Sequence, residues 1–210
     1  SDVCSSDLYL PLPREILSVD DGSTDGTRDV LAGVIAEGLD VSVIQAARNG
    51  GKGSAGRLGL QQAQGSIVAI QDADLELDPQ QLSALVAPVL AGRTDVVYGS
   101  RFLHGNPGAP FVSYAANRLL TGASNVLFGG SLTDMETCYK VMRTTVARSL
   151  ALDANRFDIE PQITARLLRG GHRIEELPVK FDPRSRAQGK KIGWRDGLHA
   201  LQVLIAERRR

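Results

Sequence analysis

The chain has 210 residues, 42% hydrophobic and 23% charged, enough to bury one substantial core and in keeping with a single domain. Lysine plus arginine and aspartate plus glutamate stand at 24 each, so no global field points to nucleic acid, and any anion binding has to be local. Cys4 and Cys138 are too isolated for a disulfide framework or a zinc site, and no uninterrupted apolar run is long enough to cross a bilayer. The expectation is a cytoplasmic protein, at most peripheral on the cytoplasmic face of a membrane.

Residues 1–14 have no clear period and include a proline-rich stretch, Tyr9 to Pro13, so they are expected to be an atypical segment, a truncation or an artefact. From residue 15 to 210, short β-branched runs alternate with helical patterns, the signature of a layered α/β domain with a largely parallel sheet. Glu15 to Val19 is predicted as a strand, followed by a helix over Thr27 to Glu37 with Val30, Leu31, Val34 and Ile35 on one face and Gly38 closing it. A strand over Val41 to Gln45 comes next, then the glycine-rich Asn49 to Gly53 and a helix to about Gln64.

Ser66 to Gln71 has the pattern of a buried strand. Asp78 and Pro79 supply a cap and a first residue for a helix carrying Leu82, Leu85, Val86 and Val89, which Pro88 bends or shortens. Further strands are predicted over Asp95 to Gly99, Cys138 to Arg143 and His172 to Lys180. Helices are predicted over Ser113 to Phe128, Asp158 to Arg169 and Trp194 to Arg208.

Ligands of open α/β sheets collect beyond the carboxyl ends of the strands. The first strand runs into Asp20-Asp21-Gly22-Ser23-Thr24-Asp25-Gly26-Thr27, where Ser23 or Thr24 can satisfy the helix start. This turn reads equally as an ordinary capped connection or as a site whose carboxylates accept hydrogen bonds from a base or a ribose. The strand Ser66 to Gln71 leads into Asp72-Ala73-Asp74. Two carboxylates two residues apart on an extended end point the same way and can share one hard divalent cation, which can in turn bridge a diphosphate. Acidic pairs of this kind are common by chance, and it is the place at a strand end that gives this one weight. The loop Asn49 to Ser54 lacks the spacing of a mononucleotide phosphate loop, which disfavours that reading and leaves open a glycine-rich approach to a nucleotide with Lys52 near it.

Together these stretches resemble inverting glycosyltransferases of family 2 with the GT-A fold, in particular the polyprenyl-phosphate branch typified by dolichyl-phosphate mannose synthase. The resemblance runs from about Glu15 to Ala206 and rests on VDDGSTDGT at Val19, NGGKGSA at Asn49, QDADLELDP at Gln71, YGSRF at Tyr98, LTDMETCYKV at Leu132, RFDIEPQITARL at Arg156 and the basic stretch from Glu176 to Leu198. It implies a single α/β domain with a mostly parallel mixed sheet, here lacking the strand with which the family normally opens. That absence would leave a central edge unpaired.

The resemblance also implies roles. Asp21, Lys52 and Asp72 would contact the nucleotide; Asp72, Asp74 and Glu76 would face Mg2+ or Mn2+, with Glu76 standing where the family typically has glutamine. Arg101, Arg184 and Lys191 would neutralise phosphate, the last two from a flap that also carries Arg186, Lys190 and Arg195. Asp134, and after it Glu136, would serve as catalytic base or position the acceptor. The implied donor is a GDP- or UDP-sugar, and the implied acceptor a polyprenyl phosphate or a glycan hydroxyl. A phosphate monoester is already largely anionic at neutral pH and needs no strong base, whereas a hydroxyl does. A noncatalytic nucleotide-sugar-binding module is the competing reading. A sugar nucleotidyltransferase is disfavoured for want of a glycine-rich activating loop. The final helix, followed by Arg208, Arg209 and Arg210, either lies against an anionic membrane or packs on its own domain.

Overall fold

A computed structural model describes residues 13–74, 76–105, 108–183 and 194–210. Seven α-helices and six strands alternate along these residues: β1 (Leu17–Asp20), α1 (Thr27–Ala36), β2 (Ser42–Gln45), α2 (Lys52–Gln62), β3 (Ile67–Ala69), α3 (Leu82–Leu90), β4 (Val96–Ser100), α4 (Phe111–Phe128), β5 (Lys140–Arg143), α5 (Thr144–Ser149), α6 (Ile159–Arg169), β6 (Ile174–Pro178) and α7 (Trp194–Arg209). The predicted elements recur with their ends shifted by a few residues, and α5 was not predicted. It is short and follows β5 directly, so no turn residue separates the two in the sequence.

The main sheet has the order β3-β5-β4-β6, with β4 and β6 parallel and β5 antiparallel to both of its neighbours. Three of its four strands, β3, β4 and β6, therefore run the same way and β5 alone runs against them, the mostly parallel mixed sheet that was expected. Ser100, at the end of β4, hydrogen-bonds Thr133 in the loop before β5, so the chain re-enters the sheet from the end it left and must run back. β4 is buried along its whole length, and its side chains alternate between two cores. Val96 and Tyr98 pack with Met142, Ile159, Ile163 and Leu167 on the α5 and α6 side. Val97 packs with Leu82, Leu85, Val89 and Val141 on the α3 side. A side chain at Gly99 would run into Val179, Tyr139 and Leu85, which explains a glycine in the middle of this layer.

β1 and β2 form a separate parallel pair. Among the described residues no strand joins this pair to the main sheet, and β3 pairs only with β5. Two expectations change accordingly. β3 is half-buried with Ala69 exposed rather than a fully buried strand. Of the apolar face predicted for α1, only Val34 is buried, while Val30 and Ile35 stand in solvent. A two-stranded sheet is too narrow to cover a whole helix face. The α1 start also differs: Asp25, not Ser23 or Thr24, accepts from the Thr27 backbone N–H.

Among the described residues no helix is long and apolar enough to cross a membrane. α7 packs on the domain through Leu204, which is fully buried against the side formed by Leu120, Ala123 and Leu127 of α4. Its Glu207 collects Arg166, Arg169 and Arg210.

Candidate active site

The charged side chains gather beyond the carboxyl ends of β1, β3 and β4, as the rule for open α/β sheets requires. At the end of β1, Asp20 turns inward and is fully buried, accepting from the Ser23 N–H at 2.8 Å and from Arg28 Nε at 2.9 Å. The Ser23 and Arg28 bonds hold its carboxyl down to about 2. Asp21 points across to the glycine loop and accepts from the N–H groups of Gly50 and Gly51, the latter at 2.6 Å. Gly51 has φ +89°, and a Cβ there would lie 2.8 Å from the Asn155 carbonyl. Only glycine fits both the backbone and the space. Asp21 thus fixes the loop from which α2 and Lys52 start.

Lys52 Nζ lies 2.7 Å from Asp72 Oδ2 and 2.7 Å from Glu160 Oε1. The second contact is an ion pair rather than an aligned hydrogen bond. Burial works against the ammonium, but Glu160 and then Asp72 more than offset it, so Lys52 stays charged far above the ordinary lysine range. Asp74 Oδ1 accepts from the Glu76 N–H at 3.2 Å.

The hard oxygens of Asp72 and Asp74 suit Mg2+ or Mn2+. Among the described residues no group of three or more His, Cys, Asp or Glu side chains could hold a metal by itself. Asp72, Asp74 and Glu76, the three carboxylates expected to face the metal, therefore do not come together as one such group. Asp72 and Asp74 are the residues that would hold such an ion.

Arg101 follows β4 and grips Asp134: Nε donates to Oδ2 at 2.7 Å, Nη2 to Oδ1 at 2.8 Å, and the Arg101 backbone N–H to Oδ2 at 3.0 Å. Asn117 of α4 adds a fourth bond at 2.8 Å. The guanidinium also lies over Phe102 and Phe181, 5.2 Å from each ring centre. Asp134 is wholly buried; burial opposes its charge, but Arg101 prevails and keeps it below the usual carboxylate range. A general base needs a free lone pair and a pKa near the working pH. Asp134 has neither, so of the two roles implied for it the geometry favours orienting Arg101 over taking a proton.

Glu136 is different. Its Oε1 is buried without a hydrogen-bond partner among the described residues, and burial first, Glu160 second, push the carboxyl up to about 7. Arg184 and Lys191 lie outside the described residues, as do Arg186 and Lys190.

Four contributors escaped the sequence reading. Glu160 and Lys140 are buried and paired with each other, Glu176 receives the backbone N–H groups of Thr133 and Asp134, and Asn117 steadies Asp134. The available signal was a charge on an apolar stripe. Glu160 sits three and seven residues before Ile163 and Leu167 on α6, and Lys140 lies between Tyr139 and Val141.

Acidic and basic side chains beyond strand ends, a glycine loop opening a helix and a buried arginine-aspartate pair mark one end of an α/β domain as the candidate site. The sequence profile described as Glycosyl transferase family 2 matches residues 4–150, and the chain belongs to that family. It is a glycosyltransferase. It is 31% identical to the undecaprenyl-phosphate mannosyltransferase of Micrococcus luteus over 191 residues, covering 85% of this chain and 76% of that one. It is 29% identical to the polyprenol monophosphomannose synthase of Mycolicibacterium smegmatis over 189 residues, 85% of this chain and 70% of that one. Among solved structures, glucosyl-3-phosphoglycerate synthase from Mycobacterium tuberculosis with phosphoglyceric acid superposes with a TM-score of 0.66 at 20% identity, over 92% of this chain and 68% of that one. The same enzyme with Mn2+, UDP-glucose and phosphoglyceric acid gives 0.62 at 20% identity, over the same shares of the two chains. The fold is that of the GT-A glycosyltransferases, a mixed α/β single domain.

Proposed function

We propose that this enzyme transfers a sugar from a GDP- or UDP-sugar to a polyprenyl phosphate, with inversion at the anomeric carbon and with Mg2+ or Mn2+ as cofactor. The observation that carries the reading is the pairing of two cations, Lys52 with Asp72 beyond β3 and Arg101 with Asp134 beyond β4. The relatives named for undecaprenyl-phosphate and polyprenol substrates support the acceptor. The Mn2+ and UDP-glucose bound to glucosyl-3-phosphoglycerate synthase support the cofactor and the donor class.

In this reading Asp21 shapes the glycine loop for the nucleotide, and Lys52 stands beside the diphosphate. The bound ion supplies Lewis-acid stabilisation of the leaving diphosphate. Arg101, held by Asp134 and by two aromatic rings, presents a fixed guanidinium to a phosphate. Arg184 and Lys191, which lie outside the described residues, would add positive charge toward the phosphates. An acceptor phosphate brings its own anionic oxygen, so Asp134 has no proton to take.

Glu136 favours one second reading. A partly buried carboxyl at about 7 suits a general base for a sugar hydroxyl in glycan synthesis.

Contact with a membrane surface belongs to the first reading. The outer face of α4 shows Phe111, Val112, Leu119 and Val126, each more than 70% exposed, and Arg118 is the helix's one charged residue. Leu198 and Ile205 are exposed on α7, which packs against α4. Flotation with vesicles containing anionic lipid tests this, and Leu119→Ser with Val126→Ser should release the protein. Calorimetry with GDP and UDP, with and without Mn2+, tests the donor side: we expect metal-dependent binding that Asp74→Ala removes. Equal binding by Asp74→Ala would refute the metal assignment. Metal-dependent binding without any sugar transfer would favour a binding module.

A further inference from the structure

Glu160 lies at the start of α6, 4% exposed, and its two oxygens go to two different ammonium groups. Oε1 meets Lys52 Nζ at 2.7 Å, and Oε2 meets Lys140 Nζ. Lys140 is wholly buried; its remaining bonds go to the carbonyls of Met135, at 3.1 Å, and Thr137. Those carbonyls flank Glu136 in the loop that begins at Asp134. At the other end, Lys52 continues to Asp72. An alternating row of charges, Asp72, Lys52, Glu160 and Lys140, therefore runs from the donor side to the acceptor loop with a contact at every step.

A buried ion is tolerated only while its partner holds it, so a change at one end of such a row is felt along it. If Glu160 served Lys140 alone, it would be an ordinary buried pair. Its second oxygen, committed to the lysine that also holds Asp72, goes beyond that. We propose that Glu160 is a positioning residue that sets the place of Lys52 beside the nucleotide and the shape of the Asp134 to Thr137 loop together, coupling donor and acceptor halves of the site. The inference rests on the transferase reading for its meaning, but the coupling is measurable without turnover.

The test uses the full chain as Lys52→Met, Glu160→Gln and the double variant. Hydrogen exchange over residues 134–137, without nucleotide, should speed up about tenfold in Lys52→Met, although no hydrogen bond or ion pair joins Lys52 to them. GDP or UDP affinity with Mn2+ should weaken roughly tenfold in Glu160→Gln, and the double variant should bind no worse than Lys52→Met alone. Unchanged exchange in Lys52→Met, or affinity losses that simply multiply, would overturn the proposal. Should Glu160→Gln not fold, Lys140→Met with Glu160→Gln removes both buried charges. That pair should melt near the native chain and still bind nucleotide weakly, and native affinity in it would count against the coupling. If the native chain binds neither nucleotide, the transferase reading fails, and the exchange measurement alone decides the coupling.

Discussion

Replacing Asp134 by asparagine keeps the shape of the side chain and removes its charge. The Arg101 side chain is only 16% exposed and Asp134 not at all, so the guanidinium would be left buried against an amide whose NH2 repels its N–H groups. Breaking a buried pair by removing one partner costs about 3–5 kcal/mol. In a domain of this size each kcal/mol moves the melting temperature by about 2–4 °C, so Asp134→Asn should melt about 6–20 °C below the native chain. Arg101→Met combined with Asp134→Asn should recover part of the loss, because neither charge of this buried pair remains. Scanning calorimetry or a dye-based melt reads both. A melting temperature within about 2 °C of native, together with lost transfer activity, would refute the reasoning and return Asp134 to the role of a catalytic base.

Glu136 gives a prediction in pH. Its folded value, about 7, lies above the ordinary 4.5, so between these values the unfolded chain releases its proton first and stability falls as pH rises. Below 4.5 both states are protonated and the penalty vanishes. The full span is worth about 1–3 kcal/mol, and Glu136→Gln should melt higher than the native chain at pH 8 but about equally at pH 5. Equal melting at both pH values would show that Glu136 ionises normally. Gly51→Ala should destabilise by about 1–3 kcal/mol, from φ +89° and from collision with Asn155. Gly38→Ala, with φ +81° and open space around it, should cost only the backbone part. If the two variants melt alike, the close approach at Gly51 contributes nothing.

The strand-end chemistry was readable because it obeys a positional rule. Asp72 and Asp74 follow the β3 run, so their placement needed only the alternation of strands and helices, whereas Arg101, after β4, was singled out only by the family resemblance. What stayed hidden depends on partners distant in sequence. Glu160 and Lys140 break apolar patterns and are explained by each other, 20 residues apart, and by Lys52 on the second oxygen of Glu160. Asp134 looked like a free acid until Arg101 and Asn117 closed on it from two other elements. The direction of β5 was equally beyond reach, since periodicity reports which face a side chain takes but not which way the strand runs. The exposed side of α1 follows from the narrow β1-β2 pair, a matter of strand partners rather than of the helix's own residues.

The central claim is sugar transfer from a nucleotide to a polyprenyl phosphate, and the most direct measurement follows radiolabelled sugar from GDP- and UDP-sugar donors into an organic-extractable lipid product. With Mn2+ or Mg2+ and a polyprenyl phosphate, the native chain should form that product, chelation should stop it, and Asp74→Ala should not form it. Label appearing only in a water-soluble glycan, or extractable product undiminished in Asp74→Ala, would contradict the account.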